Sequence, residues 1–370
     1  MGRKSFALSQ GGGLGTQPFS AHELPEAFHD AMHTLLLHVG KNGKTPISWK
    51  TSNTILLYKK GDPLTVKNYR PIALANTIYK LWTSIVTTLM SDFAEEHNIL
   101  HEGKEGFRRH RNTERQIQML LGVLEDAKLT KQDIHLLYMD FTNAFGSVDH
   151  PRMIALLEDL GFPADCVDIV GNMYTGARTA FITPAGLTGE IPIGRGNIQG
   201  DTLSPLIFLC FIEPLLRWLE HDKNLMYTCK TSDTQMGQSA YADDLCVATN
   251  SVAHMQAQME KIKAYEKWAH LEVNVPKCAL TAALHATGKN RTIDKETLSN
   301  IAQGLKYRDL TLPILGESEP YRYLGVMVTA SLEWRHPRTE ITSKVAESSL
   351  TGSWATKAQQ TRSMREVVEA

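Results

Sequence analysis

Asp243 and Asp244 stand side by side in "QSAYADDLCVATNS", residues 238–251, within an otherwise apolar stretch. Two adjacent ionised carboxylates repel each other, and each is costly to desolvate. Along a strand their side chains point to opposite faces, whereas at a hairpin turn both reach one site. A solvated surface turn is the ordinary home of such a pair, but the flanks "SAYA" and "LCVA" are apolar. A divalent cation relieves the repulsion. Two cations held by a few Asp residues clamp both the attacking and the leaving oxygen in phosphoryl transfer. Mg2+ suits that work because it takes oxygen ligands and leaves room for substrate phosphates. A third carboxylate, Asp140, ends "DIHLLYMDF", which reads as a buried strand, and is the expected partner.

Periodicity and turn signals outline the elements that must hold these carboxylates. Leu24, Phe28, Met32, Leu35, Leu36 and Val39 recur at helical spacing, and "TSNTILLYKKGDP" reads as a strand running into a turn. Helices are expected from Ile72 to about Phe93, from Thr113 to Leu129, from His150 to Gly161 and in a further unit ending at Tyr174. "TAFITPAGLTGEIPIG" reads as a hairpin around Gly186, followed by a helix from Asp201 to Glu220. Val252, Met255, Met259, Ile262 and Tyr265 mark another helix, and "YRYLGVMVT" a late strand. Helices and hairpins mix without βαβ alternation, so the fold class is α+β.

Composition narrows the setting. The 370 residues are 42% hydrophobic and 21% charged, which suits a globular chain with a sizeable core. A net charge of −1 gives no global basic field, so contact with nucleic acid would rest on local patches. The five cysteines are scattered and never form a Cys-x-x-Cys pair, which argues for a reducing, intracellular setting. No secretory signal is legible, and the longest apolar run is interrupted by Pro205, Glu213, Pro214 and Arg217, so no membrane span is expected. "HDAMH", with His29, Asp30 and His33, lacks the Glu of a zincin helix and reads as ordinary helix histidines.

"LLYMDFTNAFGSVDH", "NIQGDTLSPLIF" and "YADD", in that order, resemble motifs A, B and C of reverse transcriptases. "KKGDPLTVKNYRPIALANTIYKLW", "EGFRRHRNT", "NVPKCA" and "YRYLGV" resemble the blocks of the non-LTR, LINE-type retrotransposon polymerases, over roughly residues 45–330. The resemblance implies a right-hand polymerase with fingers and palm, the palm an antiparallel sheet packed with helices. It implies an RNA-directed DNA polymerase that adds dNTPs to the 3′-hydroxyl of a DNA primer on an RNA template. Two Mg2+ ions would serve it, with Mn2+ able to substitute.

Residue by residue, the resemblance makes Asp140, Asp243 and Asp244 the catalytic triad, with the backbone carbonyl of Phe141 as a further metal ligand. Phe145 matches the steric gate that excludes a ribose 2′-hydroxyl. Gln199 and Gly200 open motif B, beside the incoming nucleotide. Arg70 matches the fingers arginine on the triphosphate, with Lys59 or Lys60 as a phosphate partner. Lys277 matches the motif D lysine that protonates departing pyrophosphate. Arg108, Arg109 and Arg111, with Lys104 and His110, form a basic cluster expected to meet the template backbone; as a bare charge run it reads as a solvated face.

The chain departs from the family pattern at Asn143 and Gly146 in motif A, at Arg109 and His110 in the fingers block, and at Arg115. The expected organisation is a disordered segment over 1–20, a helical lead-in over 21–44, fingers and palm over 45–330, and the truncated start of a thumb over 331–370. Fingers are expected over about 45–135 with a second contribution near 151–180. The resemblance also implies nuclear action. A catalytically inactive, nucleic-acid-binding remnant is the alternative from another class, while RNA-dependent RNA polymerases and intron maturases fit the motifs less well.

Overall fold

A computed structural model describes residues 25–198, 200–232, 234–285, 295–301, 305, 307 and 312–332. The segments 1–20 and 333–370, for which disorder and the start of a thumb are expected, lie outside the described residues. The described residues form two compact units, one within 1–93 and 150–204 and the other within 94–149 and 205–370.

In chain order the helices are α1 (Glu26–Asn42), α2 (Thr77–Glu96), α3 (Thr113–Thr130), α4 (His150–Asp159), α5 (Ala164–Tyr174), α6 (Ser204–His221), α7 (Val252–Ala269) and α8 (Lys295–Ile301). The strands are β1 (Thr51–Tyr58), β2 (Tyr69–Leu74), β3 (Ile134–Met139), β4 (Arg178–Thr183), β5 (Gly186–Leu187), β6 (Ile191–Pro192) and β7 (Tyr227–Thr228). They continue with β8 (Gln235–Met236), β9 (Gln238–Tyr241), β10 (Asp244–Thr249), β11 (Ala279–Ala283), β12 (Tyr321–Tyr323) and β13 (Val326–Val328). The α+β expectation is met.

The first unit is built on a sheet ordered β2-β1-β4-β5, with β6 also on β4. Strand β1 pairs antiparallel with β2, from Asn53 opposite Leu74 to Tyr58 opposite Tyr69, and parallel with β4 on its other side. The buried hydroxyls of Thr54 and Thr179 satisfy each other at 2.7 Å across that parallel seam. Residues 72–74, expected to open a helix, belong to β2, because pairing with β1 outweighs local helical preference. Pro71 is tolerated there because β2 is the edge strand. The helix starts at Thr77, where the side chain of Asn76 accepts from the Ile78 amide at 2.9 Å. Its buried face is Tyr79, Trp82, Val86 and Met90, a helical stripe.

The second unit is built on an antiparallel sheet ordered β11-β3-β10-β9. All six residues of β3 are buried, as a central strand covered on both faces requires. Ile134, Leu136 and Tyr138 join Cys246 and Ala248 of β10 in a core with Leu120, Val123, Leu124 and Ala127 of α3. Helix α3, expected with the fingers, therefore packs in the unit that holds the aspartates. It is capped by Asn112, whose side chain accepts from the Arg115 amide, and ends at Lys131 in the left-handed conformation. Helices α6 and α7 meet through the Gln258 side chain on the Leu219 carbonyl and the Lys261 ammonium on that of Trp218, both at 3.0 Å. The late "YRYLGVMVT" strand is instead a hairpin, β12 with β13, because Leu324 and Gly325 both take positive φ and turn the chain between them.

Candidate active site

Strand alternation brings two of the three aspartates together. Ile134, Leu136 and Tyr138 face the α3 core, as do Cys246 and Ala248, so the same parity carries Asp140 and Asp244 to one face. Leu245 pairs with Met139, and one further step of that register sets Asp244 opposite Asp140. The third aspartate sits in a two-residue hairpin loop, Ala242-Asp243, closed by the pairing of Tyr241 with Asp244. Ala242 takes φ 55°, the positive value that a tight hairpin needs at its first loop position. Asp243 thus lies in the hairpin turn and Asp244 opens the strand that follows it.

Asp140 is buried and its carboxylate is compensated. Oδ2 accepts from the Lys277 ammonium at 2.8 Å and from the Asn274 side-chain amide at 2.9 Å. The Asn274 backbone amide donates to the Asp140 carbonyl at 2.8 Å, tying the two segments together. Lys277 stands on a 3-10 turn, Val275–Lys277, and the Tyr321 hydroxyl donates to its carbonyl at 2.9 Å. Asp244 is less well served. Burial pushes its carboxyl up to about 6, the charges of Asp243 and Asp140 push the same way, and Lys277 opposes them. Lys277 thus stands against the carboxylates without returning Asp244 to its ordinary value. Among the described residues no three His, Cys, Asp or Glu side chains form a preformed metal cage.

Phe141 continues from β3 and bridges to Val273, and the Thr142 amide donates to the Glu272 carbonyl at 2.6 Å. Phe145 lies in a short 3-10 turn, Phe145–Ser147, its ring stacked at 4.7 Å on the fully buried Phe208 of α6. A side chain at Gly106 would meet the Ala242 amide nitrogen at 2.9 Å, so the loop before Phe107 lies directly against the aspartate hairpin. That loop also pairs with β9: the Glu105 amide donates to the Ala240 carbonyl, and the Ala240 amide to that of Gly103.

The basic cluster is largely internal. Lys104 is fully buried and donates to Glu213 and to the Leu209 carbonyl, both at 2.5 Å. Burial lowers the Lys104 pKa; for Glu213, burial raises it, but Lys104, the His101 amide and Arg217 outweigh that and hold it down. Arg108 is buried and grips Glu95 through two nitrogens, at 2.8 and 2.7 Å, with a third bond to the His101 carbonyl. Arg111 pairs with Glu102 and Glu105. The expectation of a template-facing cluster is corrected at Lys104, Arg108 and Arg111, whose charges are spent on carboxylates that composition alone did not locate. Arg109 and His110 are the exposed residues of the run after Phe107.

The remaining expected residues belong to the first unit. Lys59, Lys60 and Arg70 are exposed on the β1–β2 hairpin, where Arg70 pairs with Leu57 and the Lys59 amide donates to the Asn68 carbonyl at 2.8 Å. Gly200 takes φ 109°, and a Cβ there would lie 2.6 Å from the Ala73 carbonyl oxygen, so close packing on β2 demands glycine. Asp201 is buried beside it; burial raises its carboxyl pKa, and the Tyr79 hydroxyl lies 3.4 Å away. Gln199 lies outside the described residues. Sequence reasoning missed Asn274, Tyr321 and Gly106. Asn274 had a signal in its place three residues before Lys277, whereas Tyr321 and Gly106 are tied to the site only by folding.

Residues 57–328 match the protein family described as "Reverse transcriptase (RNA-dependent DNA polymerase)". The chain is 23% identical over 306 residues to the Pol polyprotein of the type-1 retrotransposable element R2 of Nasonia vitripennis, covering 83% of this chain and 28% of that protein. It is 26% identical over 303 residues to the Xenopus laevis transposon TX1 149 kDa protein, covering 80% of this chain and 21% of that protein. To the RNA-directed DNA polymerase from mobile element jockey of Drosophila melanogaster it is 24% identical over 307 residues, covering 81% and 31%. The chain thus spans about a fifth to a third of these relatives. In fold it resembles telomerase from Candida tropicalis, solved with a fragment of telomeric RNA, at a TM-score of 0.52 and 11% identity, covering 83% of this chain and 48% of that one.

Proposed function

The chain belongs to the reverse transcriptase family, and on that premise we propose that it is the polymerising part of a non-LTR retrotransposon protein, adding dNTPs to a primer 3′-hydroxyl on an RNA template. The observation that carries the reading is the register of β3 with β10, whose next step beyond Met139 and Leu245 sets Asp140 opposite Asp244, with Asp243 in the turn between β9 and β10. The α+β fold is that of a polymerase fingers and palm, and the family uses divalent cations.

The donor set fits Mg2+. Hard carboxylate oxygens crowd together at Asp244, and a site short of a full protein cage among the described residues suits an ion that keeps waters and takes substrate phosphates as ligands. Asp140, Asp243 and Asp244, with the Phe141 carbonyl, would hold two ions, and Mn2+ would serve in their place. When bound, the ions would activate the primer hydroxyl and stabilise the departing pyrophosphate. Asn274 holds Asp140 in position from both its side chain and its backbone. Lys277 is the resident countercharge of Asp140, and its ammonium is the group for protonating the leaving pyrophosphate. The Phe145 ring, backed by Phe208, would exclude a ribose 2′-hydroxyl.

Lys59, Lys60, Arg70, Gln199 and Gly200 carry over from the family resemblance as the nucleotide-binding group, and Arg109 as a template contact. Among the described residues no helix is long and apolar enough to cross a membrane. Because a DNA primer is the second partner, an intracellular, nuclear site of action belongs to the same proposal.

The test is primer extension on an RNA template with dNTPs and Mg2+, run beside Asp243→Asn. Extension that the variant loses is the expected result. RNA binding with no extension by either protein, in Mg2+ or Mn2+, would overturn it in favour of an inactive nucleic-acid-binding remnant.

A further inference from the structure

Phe107 is 57% exposed yet takes φ 58°, a left-handed conformation that bulky L-residues avoid. Such strain persists only where the surroundings over-determine it, and it concentrates at functional sites. The surroundings here are explicit. Gly106 is seated under Ala242, Glu105 pairs with Ala240, and Arg108 and Arg111 tie the same loop to the carbonyls of His101 and Glu102. The basic residues that follow Phe107 therefore brace the loop that presents its ring.

The ring stands between two others. It meets Phe145 edge-to-face at 6.4 Å and 85°, and Tyr241 at 6.3 Å and 37°. Phe145 is stacked from behind on Phe208, which leaves its rotation limited on one side by a buried ring and on another by Phe107. Tyr241 is the residue that closes the hairpin carrying Asp243 and Asp244. One exposed aromatic thus touches both the proposed sugar filter and the flank of the proposed metal-binding turn. An exposed ring held in a strained backbone for packing alone would gain little, since more than half of its surface remains in water.

We propose that Phe107 is a positioning residue for sugar selection: its ring fixes the edge of Phe145 beside the Tyr241–Asp244 hairpin, and so sets the room left for a 2′-hydroxyl. The inference rests on the reading of Phe145 as the sugar filter. Phe107 acts through Phe145 and performs no chemical step of its own.

The experiment measures the preference for dNTP over the matching rNTP in single-nucleotide addition by the full chain on an RNA template with a DNA primer. The same ratio is read as nucleotide affinity on a dideoxy-terminated primer, so that a chain that binds without extending still reports it. Phe107→Ala is expected to lower the preference roughly three- to tenfold, the worth of one aromatic pair, through a lower KM for the rNTP with kcat for the dNTP little changed. Phe107→Tyr, which keeps the ring, is expected to restore the preference. Phe145→Ala is expected to lower it further, and adding Phe107→Ala to it to cost nothing more, since the two act through one ring. Phe107→Gly, which relieves the backbone strain, serves as the folding control and is expected to match Phe107→Ala.

If Phe145→Ala lowers the preference and both Phe107→Ala and Phe107→Gly leave it within about twofold of the parent, the inference about Phe107 falls while the filter stands. If Phe145→Ala itself changes nothing, the filter reading fails and takes the inference with it.

Discussion

The burial of Asp244 beside Asp243 and Asp140 has a consequence for stability. In the absence of divalent cations the Asp244 carboxyl titrates at about 6 instead of its ordinary 3.8, raised by burial and by Asp243 and Asp140. A raised value means that the folded chain holds the proton more tightly than the unfolded chain. The stabilising contribution is therefore present below pH 3.8 and is lost as pH rises through 6. Unscreened, that interval corresponds to about 3 kcal/mol; Asp244 is partly exposed, so screening reduces it to about 1.5 kcal/mol. Asp244→Asn removes the repelling charge with little change of shape. At pH 7.5 in chelator the variant is expected to melt about 3–6 °C above the parent, by the scaling for a unit of roughly two hundred residues. Thermal melts at pH 7.5 and at pH 4 would measure the gap, which should shrink at the lower pH, where the parent is protonated. Mg2+ should raise the parent's melting temperature more than the variant's. A variant that melts no higher than the parent at pH 7.5, or a gap that does not shrink at pH 4, would refute the charge argument.

Lys104→Met should destabilise the chain by about 3–5 kcal/mol, because it strands the buried Glu213 carboxylate with only part of its donors, and adding Glu213→Leu should recover most of the loss. Urea unfolding of the single and double variants checks this; a double variant no more stable than the single one would count against it. Gly200→Ala should cost about 1–3 kcal/mol, since its Cβ would stand 2.6 Å from the Ala73 carbonyl in a backbone at φ 109°. A neutral result in the same unfolding assay would mean that the motif B turn relaxes away from β2.

The aspartate hairpin was legible because its chemistry is unusual for its composition. An adjacent carboxylate pair between apolar flanks, with a third at the end of an apolar strand, violates the ordinary burial preference, and such violations are where function is found. The long helices were legible for a related reason: α3 and α7 carry apolar stripes with an Asn or Ser cap directly before them. Strand β2 was not, since "PIALANTIYK" runs into helix-forming residues and only the register with β1 makes its first part extended. The hairpin of β12 and β13 looks like one strand in the sequence because Leu324 gives no local sign that it takes positive φ.

The basic run shows the limit most clearly. Lysine and arginine in "KEGFRRHR" read as a charge patch, because a sequence lists cations without their partners. Glu95, Glu102, Glu105 and Glu213 come from a helix end, the loop itself and a helix more than a hundred residues on, and only their convergence turns Lys104, Arg108 and Arg111 into internal braces. The identity of the carboxylates and their order along the chain were decided by residue type and spacing alone. Their geometry came from elsewhere: the step of register that sets Asp244 opposite Asp140, the Asn274 and Lys277 bonds that hold Asp140, and the ring of Phe107 against Phe145. Side-chain periodicity acts over a few residues, and so can be read in place. Register, ion pairing and aromatic contacts join segments that meet only when the core closes.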